Sequence, residues 1–180
     1  FTSSEVVALS RTPHDSGKEI DAKIVAEVLD YLDAGYLAER LYTNLSGGEQ
    51  QRVQLARVLS QVWNEVEYPR LLILDEPSSF FDLSHQQMLV DLVRGLAKKN
   101  IAVLVVLHDI NLAMSCADRV AVLSCGRLAA FGETEAVITT EMLESVFSVR
   151  AKFLFDPETG CRFLSMTGAV ASSKDLAGLS

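Results

Sequence analysis

Positive charge is scarce in this sequence. Lysine and arginine total 16 against 24 aspartates and glutamates, a formal net charge of −8. That balance argues against a protein that coats nucleic acid, which needs a basic face. Cysteine is rare as well: Cys116, Cys125 and Cys161 form no CxxC pair. Neither a disulfide framework nor a zinc site is expected, and the usage suits a reducing compartment. Long apolar runs are missing; the longest aliphatic stretch, Ile101 to Leu107, is too short to span a bilayer as a helix. The opening residues, Phe1-Thr2-Ser3-Ser4-Glu5, lack the basic and apolar regions of a secretory signal. No internal repeat or low-complexity tract is visible. What remains is 180 residues, 49% hydrophobic and 22% charged, a composition that buries a core and a length typical of one domain.

Residues 1–44 read as helical, with Ile20, Ile24, Val25, Val28, Leu29 and Leu32 on one face and Gly35 as a breaker. Asn44 to Trp63 reads as a second helix, striped by Val53, Ala56, Leu59 and Trp63. Leu71 to Leu74 is a short aliphatic strand of the kind buried on both faces. A helix from about Ser84 to Lys99 follows, with Ser84 and Gln87 as its expected capping box. Ile101–Leu107 reads as a second buried strand, Ile110–Ala117 as a short helix and Arg119–Leu123 as a third strand. This alternation predicts parallel crossovers in an α/β sheet. Two hairpins are expected next, one turning at Cys125-Gly126 and one at residues 156–160, with a helix over 134–147 between them. The end of the chain, from Ala169, reads as a frayed tail.

Three segments carry chemistry. Leu45-Ser46-Gly47-Gly48-Glu49-Gln50 is a helix start: Ser46 and Glu49 fit the S-x-x-E capping box, and the two glycines leave amides open to an anion. An ordinary capped helix after a glycine turn fits the same residues. Leu71 to Leu74 runs into Asp75-Glu76-Pro77, placing two carboxylates at the carboxyl edge of a sheet, where open α/β folds bind ligands. One could hold Mg²⁺ and the other orient a water; a solvated loop is the plainer reading. Pro77 predicts extended backbone at Glu76. His108 also follows a strand, and neighbouring parallel strands would bring it close to Glu76; a histidine satisfied by backbone is the plainer alternative. His14 and His85 suggest no more than a loop residue and a helix start.

In this order the segments resemble the nucleotide-binding subunit of an ABC transporter. Leu45–Gln50 resembles the family signature and Leu71–Asp75 its Walker B strand. Ser79-Phe80-Phe81-Asp82 resembles the D-loop and His108 the switch histidine. The resemblance covers residues 1 to about 166 and implies a P-loop NTPase-type parallel sheet with a helical subdomain. The expected divisions are 1–63 for that subdomain, 64–166 for the C-terminal half of the core, and 167–180 for a flexible tail. It implies ATP and Mg²⁺ as cofactors, with Asp75 on the metal, Glu76 as catalytic carboxylate and His108 sensing the γ-phosphate. Leu45, Ser46, Gly47, Gly48, Glu49, Gln50 and Asp82 would serve nucleotide binding across a homodimer. Implied partners are a second copy, membrane permease subunits and, indirectly, a periplasmic or surface substrate-binding protein, but no nucleic acid. The expected location is the cytoplasmic face of the inner (plasma) membrane.

Glu5–His14, Gly47–Leu59 and the insert Asn64–Arg70 are most similar to ATPases of hemin importers, with ferric siderophore or cobalamin importers as the alternative. A DNA-repair or chromosome ATPase head fits less well, because no heptad array separates the motifs. Phe80-Phe81 departs from the usual Ala-Leu of the D-loop. A larger departure is the absence of G-x-x-x-x-G-K-[ST]. Only Gly17-Lys18 places lysine after glycine, with Thr12 where the first glycine belongs and Glu19 after the lysine. The chain is therefore expected to be N-terminally truncated and inactive alone, and a non-catalytic remnant is a further alternative.

Overall fold

A computed structural model describes residues 1–64, 68–79, 81–158 and 160–169. The chain divides into two compact units, Phe1–His108 and Asp109–Ser180.

The first unit opens with three helices, α1 (Ser3–Ala8), α2 (Lys18–Tyr31) and α3 (Gly47–Ser60), which pack on one another. α1 starts at a capping box: the Thr2 hydroxyl accepts from the Glu5 amide, and the Glu5 carboxylate accepts from the Thr2 amide. Val7, Val28, Leu32, Leu37, Val53, Ala56 and Leu59 are wholly buried between these helices. Ile20 departs from the expected face and is 52% exposed, because the buried side of α2 begins one turn later at Ile24. Two buried arginines fasten the loops. Arg11 donates to Asp21 Oδ1, the Ser60 carbonyl and Ser16 Oγ, each at 2.7–2.8 Å. Arg52 donates to the Asp33 carbonyl and the Tyr36 hydroxyl. A buried guanidinium is tolerated only with such partners.

Strands β1 (Arg70–Asp75) and β2 (Ile101–Val106) pair in parallel through the crossover helix α4 (Leu83–Lys98). Leu72 and Leu74 are buried, as are Leu89, Leu92, Val93 and Leu96 of α4. The expectation of strands buried on both faces does not hold among the described residues. Leu71, Ile73, Leu104 and Val106 are 46–60% exposed, since α4 covers one face only. The cap of α4 also differs from expectation. Asp82, not Ser84, accepts the His85 amide, and the Ser84 hydroxyl donates to the same carboxylate. A carboxylate two residues earlier is the stronger cap at the positive end of the helix dipole.

In the second unit, α5 (Ile110–Cys116) is capped by Asp109. β3 (Arg119–Ser124) pairs antiparallel with β4 (Arg127–Glu133), not with β1 and β2. Local closure explains this: Cys125 (φ +49°) and Gly126 (φ +72°) make a two-residue turn whose twist suits a hairpin. The expected single helix over 134–147 is two, α6 (Thr134–Val137) and α7 (Thr140–Phe147). Thr139 divides them by capping α7 with its hydroxyl. β5 (Val149–Phe155) and β6 (Arg162–Ala169) form the second expected hairpin. Leu143, Ala151 and Leu164 make a small core there. β6 runs on through 167–169, the first residues of the expected tail, because Gly168 and Ala169 pair with Arg150 and Val149; the rest of that tail, 170–180, lies outside the described residues, as do Phe80 and part of the insert. None of the three cysteines is in a disulfide. Among the described residues no helix is long and apolar enough to cross a membrane.

Candidate functional site

The parallel register sets Asp75 beside Val106, so both strands end at the same edge. Beyond that edge the Glu76 amide donates to the Val106 carbonyl at 3.1 Å, extending the pairing by one residue. Glu76 has φ +46°, left-handed rather than the extended backbone that Pro77 predicts. The pairing to Val106 and the turn closed by the Ser79 amide on the Glu76 carbonyl, at 3.3 Å, hold it there. Strained backbone of this kind persists where the surroundings over-determine it, often at functional sites.

The turn aims the Glu76 carboxylate at His108, two residues past β2, with Oε1 and Nε2 2.5 Å apart. An ionised carboxylate only accepts, so Nε2 carries the hydrogen. Ser79 Oγ donates to Oε2 at 3.3 Å. The His108 hydrogen bond, then its charge, and a smaller contribution from Ser79 hold the carboxyl below its ordinary range despite some desolvation. The result is a half-exposed ionised carboxylate able to accept a hydrogen bond from a water. Asp75 is exposed at the last position of β1. Among the described residues no group of three or more His, Cys, Asp or Glu could hold a metal.

At the start of α3, Ser46 Oγ accepts from the Glu49 amide, and Glu49 Oε2 accepts from the Ser46 amide at 2.7 Å. These bonds, with Arg40 donating to Oε1, hold the Glu49 carboxyl below its ordinary range. Gly47 and Gly48 occupy the first turn, where amides have no intrahelical acceptor. Leu45 is buried, and the Gln50 side chain donates back to the carbonyls of Leu45 and Tyr42. Ser46, Gly48, Glu49, Arg52, Phe81, Asp82 and His85 line a depression of about 190 Å³. Within it Asp82 Oδ1 accepts from the His85 amide, Ser84 Oγ and His85 Nδ1, which keep its carboxyl far below the usual range.

The first unit thus brings Glu76 to His108, and Ser46, Gly48 and Glu49 to Asp82. Gln51 links the two groups, its Nε2 lying 3.3 Å from the Pro77 carbonyl and 3.5 Å from that of Glu76. Gln51 stands one residue past the Leu45–Gln50 segment, and that adjacency is the only signal for its role in the sequence. Nothing in the sequence singles out Arg40, which pairs with Glu49 from outside the motif.

A family profile described as ABC transporter matches residues 3–79. The hemin import ATP-binding protein HmuV of Gloeobacter violaceus is 42% identical over 174 residues, covering 95% of this chain and 63% of that protein. The chain belongs to the ABC transporter ATP-binding family. Another relative, HmuV of Pseudomonas aeruginosa, is 45% identical over 160 residues, covering 89% of this chain and 62% of that protein. The chain therefore spans less than two thirds of the length of these two relatives. Among solved structures, an inward-facing transporter assigned to the metal-chelate type of ABC transporters aligns with a TM-score of 0.76 at 27% identity. It covers 98% of this chain and 69% of that one. A dimeric bacterial ABC transporter cassette aligns with a TM-score of 0.66 at 27% identity, covering 74% of this chain and 57% of that one. The ABC profile match ends at Ser79, immediately before the Phe80-Phe81 departure.

Proposed function

We propose that this chain supplies the signature, the Walker B carboxylates and the switch histidine of an ATP-hydrolysing importer subunit, with hemin as the transported molecule. The 2.5 Å pairing of Glu76 with His108 beyond two parallel strands carries the reading. In it Glu76 accepts a hydrogen bond from the attacking water, which aligns the water and raises its nucleophilicity. His108 holds that carboxylate ionised and in place, and would sense the terminal phosphate. Asp75 is a hard oxygen donor at the strand end, the donor type that suits Mg²⁺ when phosphates and waters complete its shell. Bound there, the ion would neutralise phosphate charge. Ser46, Gly47 and Gly48 would face a nucleotide held by a second copy, and Asp82 would contact that copy; the dimeric cassette among the similar structures favours this arrangement. Membrane permease subunits are the other direct partners, reached from the cytoplasmic face, with a substrate-binding protein acting indirectly. The names of the hemin import relatives support the choice of hemin.

The test is ATP turnover and ATP binding by the importer ATPase carrying this chain, assembled with its permease, with and without Glu76→Gln. Turnover should fall by ~10²–10⁴ with binding kept. A variant that retains turnover within a few-fold removes Glu76 from the reaction. Hemin uptake by the reconstituted importer decides the cargo: uptake of cobalamin or a ferric siderophore in its place overturns that choice.

A further inference from the structure

Resting on the nucleotide-facing role of α3, we propose that Arg40 is a positioning residue that neutralises Glu49, so the start of α3 can accept a phosphate. Glu49 is needed for the capping box, yet it sets a negative charge within a turn of the Gly47 and Gly48 amides. That charge opposes an incoming anion at the place where the helix dipole attracts one. Arg40 answers it, donating from Nη1 to Glu49 Oε1 at 2.8 Å while Oε2 stays on the Ser46 amide. Each carboxylate oxygen therefore has its own donor. Arg52, which lines the same depression, is already committed to the Asp33 carbonyl and the Tyr36 hydroxyl.

The guanidinium is delivered by a fixed main chain. The Ser3 amide and hydroxyl both donate to the Arg40 carbonyl, at 2.9 and 3.2 Å, and Ser3 is fully buried. Thr2 bridges Leu41, and the Tyr42 amide donates to the Phe1 carbonyl at 3.1 Å. A segment remote in sequence thereby holds the countercharge in register with the start of α3, and a shift of Phe1–Ser3 would carry it away.

Steady-state kinetics on the assembled importer ATPase test this. Arg40→Ala, and the closer-shaped Arg40→Gln, should raise KM for ATP about three- to fivefold, the weight of one charge at a helix N-terminus. kcat should change less, and Arg40→Lys should keep most of the wild-type KM. In a Glu49→Gln background the cap survives without its charge, so adding Arg40→Ala should leave KM where Glu49→Gln alone puts it. Unchanged KM in both neutral Arg40 variants, or the same loss in the Glu49→Gln background, overturns the role. Absence of ATP turnover by the assembled importer ATPase would refute the ATPase reading itself; with turnover present, an unmoved KM refutes Arg40 alone.

Discussion

Glycine and alanine at position 76 separate what the carboxylate contributes from what the backbone contributes. Both substitutions remove the carboxylate's bonds to His108 and Ser79 and keep those of Ser79 to the carbonyl of residue 76. They differ in whether a residue at φ +46° carries a Cβ. An L-residue in the left-handed region costs roughly 1–2 kcal/mol. Glycine's greater freedom in the unfolded chain returns roughly 0.5–1 kcal/mol of that. The glycine variant should therefore be the more stable by about 1 kcal/mol, equivalent to roughly 2–4 °C in Tm for a chain of this size. Following proline restricts the residue before it as well, which works against alanine further. Thermal unfolding by circular dichroism, with urea midpoints as a second measure, reads the difference directly. Neither variant should turn over ATP, so stability and not activity separates them. An alanine variant equal to or more stable than the glycine variant would show that the turn after β1 is not left-handed in solution, and the strain at Glu76 would be refuted.

His108→Ala should lower turnover by ~10²–10³, as removal of an electrostatic stabiliser does, and a change of less than tenfold would count against the pairing. It should also flatten the acid limb of stability. The Glu76 carboxyl is held below its ordinary value, so its contribution is present above that value and is lost as pH falls through the depressed one. Urea midpoints taken from neutral pH into the carboxyl range check this, and an unchanged limb refutes it. Leu59→Ala, at a fully buried position of α3, should cost about 2–5 kcal/mol in urea unfolding; a loss under about 1 kcal/mol would mean that the helix contact is loose. The purified 180-residue chain, which contains no G-x-x-x-x-G-K-[ST], should release no phosphate above a Glu76→Gln control.

Features governed by neighbours in sequence were legible in the sequence alone. Ser46 and Glu49 close their capping box because both partners lie within one turn. Cys125-Gly126 turns its hairpin because two successive positive φ values suffice. The approach of His108 to Glu76 could be anticipated only by assuming that the two parallel strands pair in register, and the structure supplies that register. The backbone at Glu76 was not, because its φ follows from the bond to Val106 on another strand, which overrides the local preference set by Pro77. The choice of Asp82 over Ser84 as cap rested on competition between two neighbouring acceptors, and that of β4 over the parallel strands as partner of β3 on closure of a two-residue turn. Arg40 could not be found from its motif at all. Its partner is nine residues away, and its position depends on hydrogen bonds to Ser3, thirty-seven residues distant. Sequence by itself determined the family, the order of its motifs and the residue types at the site. Only tertiary structure decided which of those charges meet, because distance in space between charged groups is set by packing and strand register, not by their spacing along the chain.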